Sequence, residues 1–287
     1  MASTTALKRR ITSVRNTRQI TKAMQLVSAS KMRRAQEYAF RSRDYRDAAT
    51  ALMKRLSTIN EVTKEPLFRK RDVKTRLYVV VTSNSGLAGA YNANILKLLG
   101  NALKQDRADK VTSRVITVGN KAAQFVRRVQ GVELEAAYSA LGDQPTANDI
   151  RPLLNTVLQQ YQDEVVDEVR VLYTEFKSNL VQEAQSLQLL PAQTIKSDDA
   201  VAISEFEPDL ETVVAQVTAR LVEAQVWQAV LESLASEHSM RMIAMKNATD
   251  NANELIEDYT LVYNTARQAG ITQELAEITG GAEALNG

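Results

Sequence analysis

The sequence contains no cysteine, and His238 is its only histidine among 287 residues. Disulfides, thiolate zinc sites and thiol catalysis are therefore excluded, and a histidine metal cluster has almost no material. Aromatic residues make up only 5%, which points to a helix-rich core packed with Ala, Leu, Val and Met. No apolar run approaches the ~18 residues that a membrane-spanning helix needs. Glycine and proline are missing from both ends: all ten glycines and all five prolines lie between Pro66 and Pro208 or from Gly270 onward. Residues 1–65 and 209–269 can thus run as unbroken helices, because nothing removes a backbone donor or adds backbone entropy. Fifty helical residues reach roughly 75 Å. The plan is two terminal rods around a globular middle, with boundaries at 1–60, 75–196 and 208–287.

Acidic residues are also missing at the start, since none precedes Glu37. An Arg- and Ser-containing start resembles a transit peptide, but the pattern does not relent at residue 30 and continues as a helix to about Leu56. Residues 1–55 hold 14 Lys/Arg and 3 Asp/Glu, while residues 209–287 hold 4 and 12. The rods carry +11 and −8, so lying side by side they compensate each other. Each exposed pair contributes only about 0.2–1 kcal/mol, so charge sets partner choice and register more than stability.

What is present is periodicity. The C-terminal rod has a 3-4 apolar repeat with Leu210, Val217, Ala224, Leu231, His238, Met245, Ala252, Tyr259 and Ala266 at one seam position. Val214, Leu221, Gln228, Ala235, Met242, Thr249, Ile256 and Tyr263 take the other, as in a coiled coil. Gly270 marks a break or kink, and Gly280-Gly281 ends the helix. The N-terminal rod has a thinner stripe of Leu7, Ile11, Val14, Ile20, Met24 and Val27, carried on by Ala35, Tyr38, Tyr45, Ala48, Leu52, Leu56 and Ile59. A stripe that thin needs a partner helix.

The middle alternates strands and helices. Residues 76–82, 114–118, 169–174 and 186–195 read as strands, the last confined to an edge by Pro191. Helices fall at about 92–104, after Gly119 to about 130, and at 149–166. That order indicates βαβ units and a parallel, Rossmann-like sheet.

Candidate chemistry is sparse. The run Ser85-Gly86-Leu87-Ala88-Gly89-Ala90-Tyr91-Asn92 sits where a phosphate loop would sit, after a strand and before a helix. Its spacing is not G-x-G-x-x-G and no Walker lysine follows, so it reads as a tight strand-to-helix turn. His238 reads as a packed seam residue. Asp163, Glu164, Asp167 and Glu168 read as a solvated acidic surface, and Met240, Met242 and Met245 as core filling. The basic rod carries the electrostatic footprint of nucleic-acid binding. Against that, its Lys/Arg are not interleaved with aromatics and the acidic rod is a ready internal partner. An antiparallel scaffold, a nucleotide enzyme using the Gly86–Gly89 loop and a nucleic-acid binder all remain open on the residues alone.

Two strings are more specific. Residues 7–36 read LKRRITSVRNTRQITKAMQLVSASKMRRAQ, and residues 235–285 read ASEHSMRMIAMKNATDNANELIEDYTLVYNTARQAGITQELAEITGGAEAL. Both resemble the ends of the gamma subunit of F-type ATP synthases, and the order rod, α/β domain, rod is similar along the whole chain. The resemblance implies α/β architecture plus a long antiparallel coiled coil of the two terminal helices. It implies a non-catalytic rotor shaft without cofactor or metal, coupling ion flow to ATP synthesis or hydrolysis. Its implied partners are the alpha and beta subunits, the epsilon subunit and the membrane c-ring, with no nucleic acid. Its place would be peripheral to the membrane, on the cytoplasmic face in bacteria or the matrix or stromal face in organelles.

Residue by residue, the resemblance places Met24, Arg241, Gln268 and Thr272 against the beta subunit. Arg33, Arg34, Phe206 and Glu207 fall near the foot and the c-ring loops. The family commonly carries Asp-Arg-Gly-Leu-Cys-Gly-Gly after the first strand, where this chain has Asn84-Ser85-Gly86-Leu87-Ala88-Gly89-Ala90. With no cysteine, thiol control by this chain is excluded.

Overall fold

The computed structural model describes residues 4–56, 65–138, 142, 145–192 and 209–286. In chain order the elements are α1 (Thr4–Leu56), β1 (Thr75–Val81), α2 (Tyr91–Ala108), β2 (Thr112–Val118), α3 (Asn120–Val126), β3 (Glu133–Tyr138), α4 (Ala147–Gln162), β4 (Glu168–Phe176), β5 (Gln182–Leu190) and α5 (Leu210–Asn286). The chain divides into two compact units, Met1–Val27 with Met242–Gly287, and Ser28–Arg241.

The larger unit is built on a five-stranded sheet in the order β3-β2-β1-β4-β5. The pairs β1–β2, β1–β4 and β2–β3 are parallel and β4–β5 is antiparallel. Period-2 alternation splits the β-branched strand residues between two cores. On one face Leu77, Val79, Val81, Ile116, Val169 and Val171 meet Leu153, Val157 and Tyr161 of α4 and Val214, Leu221, Val226 and Val230 of α5. On the other, Tyr78, Val80, Val115 and Leu172 meet Ile95, Leu99 and Leu103 of α2 and Ala122 and Val126 of α3. Hence α5 is a layer of the domain as well as a partner for α1. Small polar residues of α5 fasten it to the sheet: the Thr174 amide donates to Ser233 Oγ at 3.0 Å, and Ser236 Oγ donates to the Thr174 carbonyl at 3.2 Å.

Within this unit α1 lies antiparallel to α5. Ala35 packs with Ala235 and Phe176, Ser42 donates to Gln228, and Arg43 faces Glu232 at 3.6 Å. Two alanines facing each other permit a close helix approach, as the alanine-rich seam anticipates. Within the smaller unit the same antiparallel sense appears. Thr21 and Thr249 share a hydrogen bond between hydroxyls at 2.8 Å, and Arg18 donates to Asn253 Oδ1 at 3.3 Å.

The C-terminal seam is buried between Val214 and Ala252, apart from the half-buried Val217 and Met242, and is only half-buried at Ile256, Tyr259, Tyr263 and Ala266. Val214, Leu221, Ala224, Gln228, Leu231, Ala235, His238, Met245, Thr249 and Ala252 are all buried. Five expectations change. α5 runs through Gly270 and Gly280-Gly281 without a break, since a single helical glycine costs only about 1 kcal/mol against alanine. Ile20 and Val27 are exposed while Thr21, Ser28 and Met32 are buried, so the α1 stripe runs through small polar residues. β3 is an additional edge strand, and β5 starts at Gln182 and runs antiparallel. The acidic cluster is not wholly solvated: Asp167 accepts the Lys74 and Thr75 amides at 2.8 Å each, and Glu168 is buried beside Arg76 at 3.3 Å. A carboxylate that receives backbone donors or a guanidinium can be drawn inward. Ile59 and the 197–199 connector lie outside the described residues.

Candidate interaction site

The loop after β1 is where sequence reasoning admitted a nucleotide. In a sheet of this order a ligand would enter the crevice beyond the strand carboxyl ends. Here α5 occupies that position. The remaining cavity is about 30 Å³ and is lined by Thr82, Asn84, Tyr91, Gly119, Val230, Leu234 and Glu237, enough for a water but not for a nucleotide. Tyr91 is fully buried there, and burial pushes its phenol far above the usual range. The loop is a fixed turn: Leu87 and Gly89 take φ of 61° and 55°. The Ser83 amide donates to Asn92 Oδ1 at 3.1 Å, and the Tyr91 amide to the Ala88 carbonyl at 3.2 Å.

Arg241 ties this loop to α5. Its guanidinium pairs with Glu237 at 2.8 Å one turn back, with side-chain exposures of 10% and 14%. It also donates to Ser85 Oγ at 3.3 Å and to the Gly86 carbonyl at 3.4 Å, and lies 3.4 Å from His238 Nδ1. The side chain that the resemblance places against beta is therefore also held within its own chain. No periodicity could have exposed this, because Ser85 and Arg241 are 156 residues apart.

The other expected contact residues are distributed differently. In the smaller unit Met24 is half-buried, while Gln268 and Thr272 are exposed; Thr272 Oγ1 donates to the Gln268 carbonyl at 3.0 Å. Large apolar side chains crowd this part of α5, with Leu261 69% and Ile278 68% exposed, and Val262, Ile271 and Leu275 exposed between them. In the larger unit Arg33 and Arg34 are exposed on α1. Phe206 and Glu207 lie outside the described residues. An open groove of about 530 Å³ between α1 and α5, lined by Tyr45, Ala48, Ala49, Leu52, Val217 and Arg220, was not anticipated.

A buried polar cluster lies at the opposite end of the sheet. Asp106 has no exposure, yet accepts from Tyr78 Oη and Ser113 Oγ at 2.8 Å each and from Arg76. Burial and the bond to Asp106 push the Tyr78 phenol up to about 12. Every member is tied to structural partners, so the cluster holds β1, β2 and α2 together. Among the described residues no helix is long and apolar enough to cross a membrane.

Comparison with known proteins agrees along the whole chain. Residues 3–285 match the family model described as ATP synthase. The ATP synthase gamma chain of Herpetosiphon aurantiacus is 41% identical, over 100% of each chain. That of Glaesserella parasuis is 39% identical over 99% of this chain and 100% of its own. Among solved structures, the central stalk and c-ring of the Tetrahymena thermophila mitochondrial ATP synthase contains a similar chain. Its TM-score is 0.63 at 25% identity, covering 80% of this chain and 99% of that one. A chain of the Euglena gracilis mitochondrial ATP synthase gives a TM-score of 0.70 at 20% identity, covering 98% and 94%.

Proposed function

The chain belongs to the ATP synthase gamma-chain family, and from that premise we propose that it is the central rotor shaft of a membrane-bound ATP synthase. The observation that carries this reading is the bare end of α5. Leu261, Val262, Ile271, Leu275 and Ile278 are exposed together along this end of the helix. Apolar side chains grouped in this way mark a surface that a partner covers. A sleeve formed by the alpha and beta subunits would cover it, with Met24, Gln268 and Thr272 touching beta. Arg241 would act there through the loop that it holds.

In this reading residues 1–60 and 208–287 form the shaft and 75–196 a collar. The collar, with Arg33, Arg34, Phe206 and Glu207, meets the epsilon subunit and the c-ring. The chain performs no chemistry itself and works from the cytoplasmic face of the membrane, or the matrix or stromal face in an organelle. A long helical pair couples distant sites by making different contacts with each of their states.

The test is ATP hydrolysis by purified alpha and beta subunits with and without this chain, followed by sizing. One copy per hexamer with raised turnover is expected. A chain that stays separate and leaves turnover unchanged would overturn the reading.

A further inference from the structure

The turn between β4 and β5 is built to hold apolar side chains outward. Leu180 is 83% exposed and Val181 46%, in a turn where small polar residues or glycine are the usual occupants. The turn is nevertheless held firmly. Ser178 Oγ accepts the Leu180 and Val181 amides at 3.3 and 3.0 Å. Gln182 Nε2 donates to the Ser178 and Asn179 carbonyls at 2.9 Å each. Both long helices grip it as well: Gln36 Nε2 of α1 donates to Asn179 Oδ1 at 2.9 Å, and Ser239 Oγ of α5 donates to the Asn179 carbonyl at 3.0 Å. An apolar tip fixed in this way loses little further freedom when a partner covers it.

The surroundings indicate the kind of partner. On α1, Arg33 and Phe40 lie three residues before and four after Gln36, hence on the same face, and both are exposed. Residues 29–43 carry five Lys/Arg and one acid, and of the five Arg43 already faces Glu232 at 3.6 Å. Lys177 in the turn is already neutralised by Glu183 at 2.6 Å, whereas Arg33 has no ion pair within the described residues. The Phe40 ring is covered by the Arg43 guanidinium at 5.0 Å, which disfavours base stacking and with it a single-stranded nucleic acid.

We infer that Leu180 and Val181, flanked by Phe40 and Arg33, form a docking knob for an apolar protein segment that carries carboxylates. This rests on and deepens the proposed shaft, whose collar already takes Arg33 as a contact residue; it adds the β4–β5 turn and the chemistry of what covers it.

The experiment replaces Leu180 with photoreactive benzoylphenylalanine in the full chain, crosslinks in cells and identifies the attached peptide. The expected result is one peptide that contains Asp or Glu beside apolar residues. Arg33→Glu should lower adduct yield about fivefold or more, and Arg33→Lys should restore it. A merely structural role for Arg33 would not follow the sign of charge. No adduct, an adduct on nucleic acid or lipid, a peptide without acids, or a yield indifferent to Arg33→Glu would each overturn the proposal. Copurification of alpha and beta with the chain reports the shaft reading separately; an acidic adduct without them would remove the shaft and leave the knob.

Discussion

Replacing Arg241 with methionine tests whether the loop after β1 is held from α5. Methionine keeps an apolar stem of similar length and removes the guanidinium. Three interactions disappear together: the 2.8 Å pair with Glu237, the bond to Ser85 and the bond to the Gly86 carbonyl. Breaking a fully buried ion pair costs about 3–5 kcal/mol, whereas an exposed helical pair is worth about 0.3–0.5 kcal/mol. With side chains 10% and 14% exposed, the pair lies nearer the buried case. The bonds to Ser85 and Gly86 are long, so a local loss of about 2 kcal/mol is expected. That corresponds to roughly thirtyfold faster opening of the loop. Hydrogen exchange reads it directly at the Ser83 and Tyr91 amides, which bond to Asn92 Oδ1 and the Ala88 carbonyl. Amides of β2 should keep their protection relative to global unfolding. If Ser83 and Tyr91 exchange at wild-type rates while overall stability falls, Arg241 serves α5 alone and the clamp does not exist.

Glu232→Gln addresses the seam of the larger unit. Burial raises the Glu232 carboxyl above 4.5, and the bond from Gln228 and the Arg43 and Arg46 guanidiniums, which lower it, do not offset burial; the Glu175 charge raises it further. A raised folded-state value means stability that is complete below the unfolded value and lost as pH rises through the folded one. The variant, which keeps the acceptor oxygen, should therefore melt higher than wild type at pH 8, and equal slopes of melting temperature against pH would exclude this. Gly119→Ala places a Cβ against the Thr82 carbonyl at a φ of 98°; a loss of about 3 kcal/mol or more in urea unfolding is expected from clash and strain together. Asp106→Ala removes one acceptor from Tyr78, Ser113 and Arg76. It should cost about 3 kcal/mol by the same measurement, and a change under about 1 kcal/mol would show that Glu168 suffices for Arg76. Met24→Lys at a half-buried site should leave the helices intact by circular dichroism but lower ATP-driven proton pumping per ATP hydrolysed. An unchanged pumping ratio in the assembled enzyme would remove Met24 from the contact surface.

How far the fold could be read depended on which residues fill the seams. The α5 repeat was legible because its seam is mostly apolar, and the polar members His238, Gln228 and Thr249 are buried with it. The α1 stripe was drawn through Ile20 and Val27 because they are apolar, yet the buried register passes through Thr21, Ser28 and Met32. Thr21 is admitted because Thr249 supplies a hydroxyl partner, and a hydrophobicity pattern cannot register a pair of that kind. β3 escaped for a related reason. Its sequence ELEAAY has no β-branched residue, and an edge strand with half-buried faces gives a weak alternation. Glu168 was read as solvated because its partner Arg76 lies 92 residues away.

The contact residues were harder to read than the fold, and α5 itself shows why. Between Val214 and Arg241 it meets α1 on one side and the sheet on another, so buried residues occur nearly all round the helix. Among the described residues none beyond Ala252 is buried, although the same repeat continues through Ile256, Tyr259, Tyr263 and Ala266. One periodicity therefore describes two environments: a fully packed layer and a helix with large apolar groups in water. Sequence pattern reports the spacing of apolar groups but not whether the chain itself supplies their cover. For Arg241 the cover is internal, through Ser85 and Gly86, and the structure reveals it. Gln268 and Thr272 are exposed among Ile271 and Leu275, and the proposed shaft would bring the beta subunit against them. Their roles are accordingly decided by variants assayed in the assembled enzyme, where a substitution that leaves the isolated helix unchanged can still alter coupling.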